Sequence, residues 1–331
     1  LMMFPINDLK DLLSLDRLIP YSNNDIAQLA RERQDFLTKP SGSLGKLEKL
    51  SIFFSGWQEQ VVPRIEKPRI LVFAGNHGVC QESVSAYPQE VTEQMVRNFE
   101  LGGAAINQIA NQFNMDLRVI ELDLKKPTNN ILERPAMNKA EAVEAINLGA
   151  QAVRSAKSDI LFLGEMGIGN STIASALCFA LLGGELRQWV GPGTGLDKEG
   201  QGKKAQKIRL AVNFHKKRFN LIPDPALRAI DILMSLGGRE LTAIMGAVIQ
   251  ARVLRIPIVL DGFICTAAAL PLHIISKHIL EHCLVGHLSK EPGHKILLDV
   301  LSKEPILDLD IHLGEGVGAA LSFAIIQGAL A

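Results

Sequence analysis

The stretch DILFLGEMGIGNSTIASALCFALL, running from Asp159 to Leu182, decides the fold. Residues 159–164 (DILFLG) form a short, almost uninterrupted apolar run, as expected of a strand buried on both faces of a parallel sheet. A glycine-rich polar turn, residues 164–172, follows. Residues 172–182 then have the length and apolar content of a helix packed on that sheet. The same succession recurs on either side. Residues 69–74 (RILVFA), 116–122 and 256–261 (IPIVLD) read as further strands, and residues 92–112, 139–156, 202–219 and 239–253 as helices. Strand–helix alternation of this kind implies βαβ units with right-handed crossovers.

The ends of the chain read differently. Residues 24–37 place Ile26, Leu29, Ala30, Arg33 and Leu37 at helical spacing, and a turn over 39–45 precedes a second amphipathic helix over 46–57. The tail from Pro305 is mixed and closes in an apolar helix. The expected class is therefore α/β, a parallel Rossmann-like sheet flanked by helices, with a smaller helical domain built from the chain termini. Its expected boundaries are 64–290 for the large domain, and 1–63 with 291–331 for the smaller one.

Composition bounds what such a chain can do. Its 331 residues correspond to about two domains or one large one, and 47% hydrophobic residues suffice for a core. Aromatics are only 5%, so that core must be built from Ala, Leu, Ile and Val. Thirty-five basic residues balance thirty-five acidic ones, which argues against a nucleic acid or anionic membrane held by bulk charge. Cys80, Cys178, Cys265 and Cys283 are scattered without a CxxC, and are expected as reduced thiols. Pro5, Asp8, Lys10 and Asp11 interrupt the start of the sequence, so no signal-peptide apolar region is expected there. The longest uncharged stretches, 166–184 and 316–331, are respectively too polar and too short to span a membrane.

In open parallel sheets, ligands sit beyond the carboxyl ends of the strands. There the sequence places Gly75-Asn76-His77-Gly78, the 164–172 turn, Gly191-Pro192-Gly193-Thr194-Gly195 and Asp261-Gly262-Phe263. The 164–172 turn lacks the lysine of a P-loop and the spacing of a dinucleotide fingerprint, yet glycines before a helix N-terminus can cradle an anion. A helix cap after a tight turn is the plainer alternative. Glu315, in Leu313-Gly314-Glu315-Gly316, is a candidate general base if burial raises its pKa, or else a first-turn glutamate facing a helix dipole. Glu165 can contact a substrate ring or cap a turn, and Lys203 and Lys204 can meet a phosphate or face solvent. His278, His282, Cys283 and His287 have ligand-type spacing, but exposed helix histidines are the commoner outcome and no metal site is expected. His77, at a strand end, is the better site candidate, and no cofactor fingerprint is present.

Seven motifs occur in order: Lys39-Pro-Ser-Gly-Ser-Leu-Gly-Lys-Leu-Glu48, Ala74-Gly-Asn-His-Gly-Val79, Val84-Ser-Ala-Tyr-Pro-Gln89 with Val91-Thr92, the 164–172 turn, Gly237-Gly-Arg-Glu240, Leu260-Asp-Gly-Phe263 and Leu313-Gly-Glu-Gly316. Together they resemble the nicotinate-nucleotide–dimethylbenzimidazole phosphoribosyltransferase family, over about residues 39–323. The resemblance implies transfer of the 5-phosphoribosyl group of nicotinate mononucleotide to 5,6-dimethylbenzimidazole, giving α-ribazole 5′-phosphate and nicotinate with inversion at C1′. It implies Glu315 as the base, with Gly167, Gly169, Asn170, Ser171, Thr172, Gly193, Thr194, Gly195 and Lys204 around the phosphate. Glu165, Met166, Tyr87, Pro88, Gln89 and Leu313 would wall the azole pocket, with His77 nearby. It further implies a cytoplasmic homodimer without cofactor or metal. Ser41, Asn76, Ser83 and Pro192 depart from the family pattern, and the changes at Asn76, Ser83 and Pro192 put the choice of aromatic acceptor in doubt. Another azole or a phenolic acceptor, or a non-catalytic nucleotide-binding protein, are the alternatives.

Overall fold

The computed structural model describes residues 4–331. Its strands are β1 (Pro68–Ala74), β2 (Asp116–Glu121), β3 (Ile160–Met166), β4 (Ile258–Leu260), β5 (Cys283–His287) and β6 (Pro305–Leu307). The helices before β2 are α1 (Leu15–Leu18), α2 (Asn24–Phe36), α3 (Lys46–Gln58), α4 (Val91–Glu100) and α5 (Ala105–Gln112). Those that follow are α6 (Lys139–Ala156), α7 (Asn170–Leu182), α8 (Lys198–Asn220), α9 (Pro225–Leu236), α10 (Arg239–Val253), α11 (Phe263–Ile275), α12 (Gly293–Leu301) and α13 (Val317–Leu330). All six strands join one parallel sheet in the order β2-β1-β3-β4-β5-β6. From β1 the chain steps outward to β2, then crosses back to place β3 on β1's other side. The switch point of the sheet therefore lies between β1 and β3, where such folds open a crevice for ligand.

Alternation along the strands builds two cores. Leu71, Phe73, Leu161, Leu163, Ile258 and Leu260 point to one face and pack with residues of α6 through α12. Ile70, Val72, Ala74, Ile160, Phe162 and Val259 point to the other, against Phe54 of α3, Phe99 of α4, Ile106 of α5 and Phe323 of α13. Both faces of the central strands β1, β3 and β4 are covered, which is why these read as nearly continuous apolar runs and do not alternate. Small residues bring the layers close. A Cβ on Gly149 of α6 would stand 1.8 Å from the Ala243 carbonyl of α10, so the two helices touch backbone to backbone there.

The structure shifts several expected elements. The helix expected over 92–112 is two, α4 and α5, broken where Gly102 takes a φ of +75°. Residues 291–331, expected in the smaller helical unit, add β6 to the sheet edge and lay α13 on the face shared with α3. Phe4, Ile6, Leu9 and Leu12 join the core on the opposite face. His278 and His282 lie in a turn before β5, not on a helix face. Instead, the His282 ring bonds the Val248 carbonyl at 3.0 Å and His278 meets Glu281 at 2.8 Å. Among the described residues no group of three or more His, Cys, Asp or Glu side chains could hold a metal ion, and no helix is long and apolar enough to cross a membrane. The four cysteines are free thiols.

Candidate active site

The carboxyl ends of β3, β4 and β5, with the segment 84–86 that follows β1, surround a cleft with about 770 Å³ of space, part of it open to solvent. Residues 84–86, 165–171, 192–194, 261–264 and 312–314 line it, with His287, Ser289 and Glu291. Its wall at β3 arises from a strand longer than expected: β3 continues through Gly164 and Glu165 to Met166, paired with β1 along its length. Glu165 therefore projects from a rigid strand end and not from a mobile loop.

One side of the cleft presents a helix N-terminus and a buried lysine. Gly169, at φ +89°, turns the chain into α7 and provides no capping side chain. A Cβ there would meet Cys80 Sγ at 2.8 Å. Thr92 Oγ1 accepts from the Ile168 amide at 3.0 Å and steadies the turn. The positive end of α7 thus faces the cleft beside the Ser171 hydroxyl. Behind it stands Lys204 of α8, fully buried, donating to Ser171 Oγ at 3.0 Å and to the Gly191 carbonyl at 3.3 Å. Burial pulls its pKa below the usual lysine range. Lys203, its neighbour in sequence, points to solvent and pairs with Glu199 at 2.7 Å. The Gly193 amide donates to Glu291 Oε1 at 2.8 Å.

The opposite side is acidic. At Gly164 a Cβ would come within 2.4 Å of the Gly316 amide, so this glycine lets the 314–316 turn lie directly against β3. The Glu315 amide donates to the Glu165 carbonyl at 3.1 Å. Three successive residues, Gly314, Glu315 and Gly316, have φ of 84°, 64° and 85°. For Glu315 that left-handed conformation is strained and is held by its surroundings. Burial, reinforced by the charge of Asp261, pushes the Glu315 carboxyl up to about 7. Glu165 is pushed to about 8, first by burial and then by Asp261, although Asn170 Nδ2 donates to its Oε2 and opposes the rise. Asp261 accepts from the amides of Gly316 at 3.1 Å and Ala319 at 2.9 Å.

Of the residues singled out in the sequence, Glu165, Met166, Gly167, Gly169, Asn170, Ser171, Gly193, Thr194 and Leu313 line the cleft together. Thr172 and Lys204 are buried behind that lining. Glu315 also lies outside the lining, only 6% exposed, while its neighbours Leu313 and Gly314 form part of the wall. His77 is fully buried behind Gly167, with Nε2 at 2.6 Å from Glu240 Oε1. Gly195 lies off the lining. So do Tyr87, which is half-exposed, Pro88, and Gln89, whose amide bonds the His77 carbonyl at 3.0 Å. Val84, Ser85 and Ala86 take the expected place of those three. Asp261, Glu240, His287 and Glu291 were given no role in the reaction. Asp261 and Glu240 sit inside motifs already visible in the sequence, LDGF and GGRE, and His287 had been weighed only as a metal ligand, whereas Glu291 gave no local signal.

A parallel α/β sheet with an anion-seating helix end and buried carboxyls at its switch point is the frame of a group-transfer enzyme acting on a phosphorylated substrate. The phosphoribosyltransferase family model matches residues 19–331. A nicotinate-nucleotide–dimethylbenzimidazole phosphoribosyltransferase of Rhodobacter capsulatus is 45% identical over 99% of this chain and 95% of its own. One of the same name from Roseobacter denitrificans is 47% identical, over 98% of this chain and 93% of its own. The crystal structure of CobT from Thermus thermophilus superposes with a TM-score of 0.86 at 38% identity, covering 92% of this chain and 95% of that one. The chain is a phosphoribosyltransferase. It belongs to the nicotinate-nucleotide–dimethylbenzimidazole phosphoribosyltransferase family.

Proposed function

We propose that the cleft transfers the 5-phosphoribosyl group of nicotinate mononucleotide to 5,6-dimethylbenzimidazole, with inversion at C1′. The observation that carries this reading is the pairing of an uncapped helix end at Gly169 with Glu165 in the cleft and Glu315 buried just behind its Leu313–Gly314 wall, both carboxyls held near neutrality. The 5′-phosphate sits at the Gly169 and Ser171 amides of the turn into α7, with the Ser171 hydroxyl, Thr194 and Lys204 completing its surroundings. This fixes C1′ beneath the azole, and positioning is worth several kcal/mol in such a displacement. The azole ring nitrogen attacks C1′ as the bond to the pyridinium nitrogen breaks. That bond's electron pair returns to the nicotinate ring and cancels its charge. The azole proton passes to Glu315, whose carboxyl near 7 is matched to accepting it. Met166, Leu313 and residues 84–86 give the acceptor a mainly aliphatic wall, in keeping with the scarcity of aromatics.

Glu165 is the second reading for the base. It lines the cleft directly, whereas Glu315 is buried beside it, behind Leu313 and Gly314 of the wall. Comparing Glu315→Gln with Glu165→Gln separates the two, because the true base loses turnover while substrate binding persists. The family resemblance supports a cytoplasmic protein and a homodimer, the second of which light scattering tests. The experiment for the reaction itself is to mix folded protein with nicotinate mononucleotide and a panel of azoles and phenols. Acceptor-dependent release of nicotinate is expected, fastest with dimethylbenzimidazole. Release with no acceptor on the panel would sink the enzyme reading.

A further inference from the structure

The helix α13 begins without a cap of its own. Gly316 precedes it and has no side chain, and the amides of a first helical turn lack partners within the helix. The acceptor comes from a distant part of the chain. Asp261, at the end of β4 and only 1% exposed, takes the Gly316 amide on Oδ2 at 3.1 Å and the Ala319 amide on Oδ1 at 2.9 Å. His287 Nδ1 stands 3.4 Å from Oδ1. Both carboxylate oxygens are thus committed to the turn next to Glu315, while the Asp261 side chain also lines the cleft.

We infer that Asp261 is the positioning residue of the centre: it clamps the strained 314–316 turn against β3 and sets a fixed negative charge beside Glu165 and Glu315. The α13 N-terminus and two amide donors face the Asp261 carboxylate. Its charge then opposes ionisation of the other two carboxyls. Several titratable groups surround this pair. Glu165 comes from β3, Asp261 from the β4 end, His287 from β5, and Glu240 of α10 with His77 lies behind Gly167. Asp261 is the charged neighbour acting on both Glu165 and Glu315, and for Glu315 it is the one that adds to burial.

The inference rests on the reading that a carboxyl of the Glu165–Glu315 pair accepts the azole proton. Its test is the pH profile of kcat for the full-length wild type and for Asp261→Asn and Asp261→Ser. The serine hydroxyl retains an acceptor for the first turn of α13 without the charge. With the charge removed, the acid limb should move down by about one pH unit or more, by loss of like-charge repulsion. Asp261→Glu, which keeps the charge, should hold the limb in place at reduced rate. Glu165→Gln and Glu315→Gln run alongside. If neither alters the limb, the underlying base reading fails. If one of them abolishes it while both charge-removing variants leave it where the wild type has it, the role of Asp261 is overturned. Loss of folding in both charge-removing variants, seen as loss of the thermal transition, would make Asp261 a scaffold residue and overturn it equally.

Discussion

Two helices meet the cleft through glycine turns of the same hand. Gly169 precedes α7 at φ +89° and Gly316 precedes α13 at φ +85°, and neither supplies a capping side chain. Their ends nevertheless serve opposite purposes. At α13 the free amides are taken by Asp261, an anion the protein carries itself. At α7 no acidic side chain takes that place, and Lys204 stands behind the turn through Ser171. A filled helix end makes a fixed wall on which a strained glutamate can be held. An end left open to the cleft is where a ligand's phosphate gains most, because backbone donors and dipole are in place beforehand.

The comparison can be broken most severely at the filled end. Glu315→Gln should cut kcat by about 10²–10⁴-fold with little change in KM for nicotinate mononucleotide, the usual span for removing a general base. An unchanged kcat would move the base to Glu165. At the open end, Gly169→Ala forces a side chain into left-handed backbone and toward Cys80 Sγ. It should raise KM for nicotinate mononucleotide by about tenfold or more, from ~1–2 kcal/mol of backbone strain at the phosphate seat. Lys204→Met should also raise that KM, by about tenfold, as loss of one charge-assisted contact.

A subtler effect lies in the pH dependence of stability. Glu165 and Glu315 titrate at about 8 and about 7 in the folded protein, above the ordinary 4.5. Below 4.5 both are protonated whether or not the chain is folded, and burying them costs no charge. As pH rises past that value the unfolded chain ionises first, so folding stability falls through pH 7 to 8. Glu165→Gln should therefore melt like the wild type at pH 5 and a few degrees higher at pH 8, roughly 3 °C. Equal differences at both pH values would contradict the raised carboxyl. Least of all should change in Lys203→Ala. Its ion pair with Glu199 is on the surface, and stability should stay within about 0.5 kcal/mol with KM unaltered.

Lys203 and Lys204 also show where sequence reading reaches its limit. Both could be matched to a phosphate by type and place, yet helical periodicity alone did not say which would be buried beneath Ser171. The parallel sheet was legible because strands covered on both faces must be apolar, and residues 69–74 and 159–164 announce that plainly. β5 and β6 were not. Cys283–His287 ends a His278–His282–His287 series that drew attention to metals, and Pro305–Leu307 is too short to show a period. The open helix end was visible as glycines before a helix. Asp261 and Glu240 became part of the site only through contacts with Gly316 and His77, more than fifty positions away in the first case. No local pattern encodes such contacts.

The most direct test of the whole account is the structure of the product. Protein incubated with nicotinate mononucleotide and dimethylbenzimidazole should yield one nicotinate per riboside, and NMR of the C1′ proton should show the α-N-glycosidic configuration throughout. A β-riboside, or nicotinate released by water with no riboside formed, would contradict in-line transfer to an azole held opposite the leaving group.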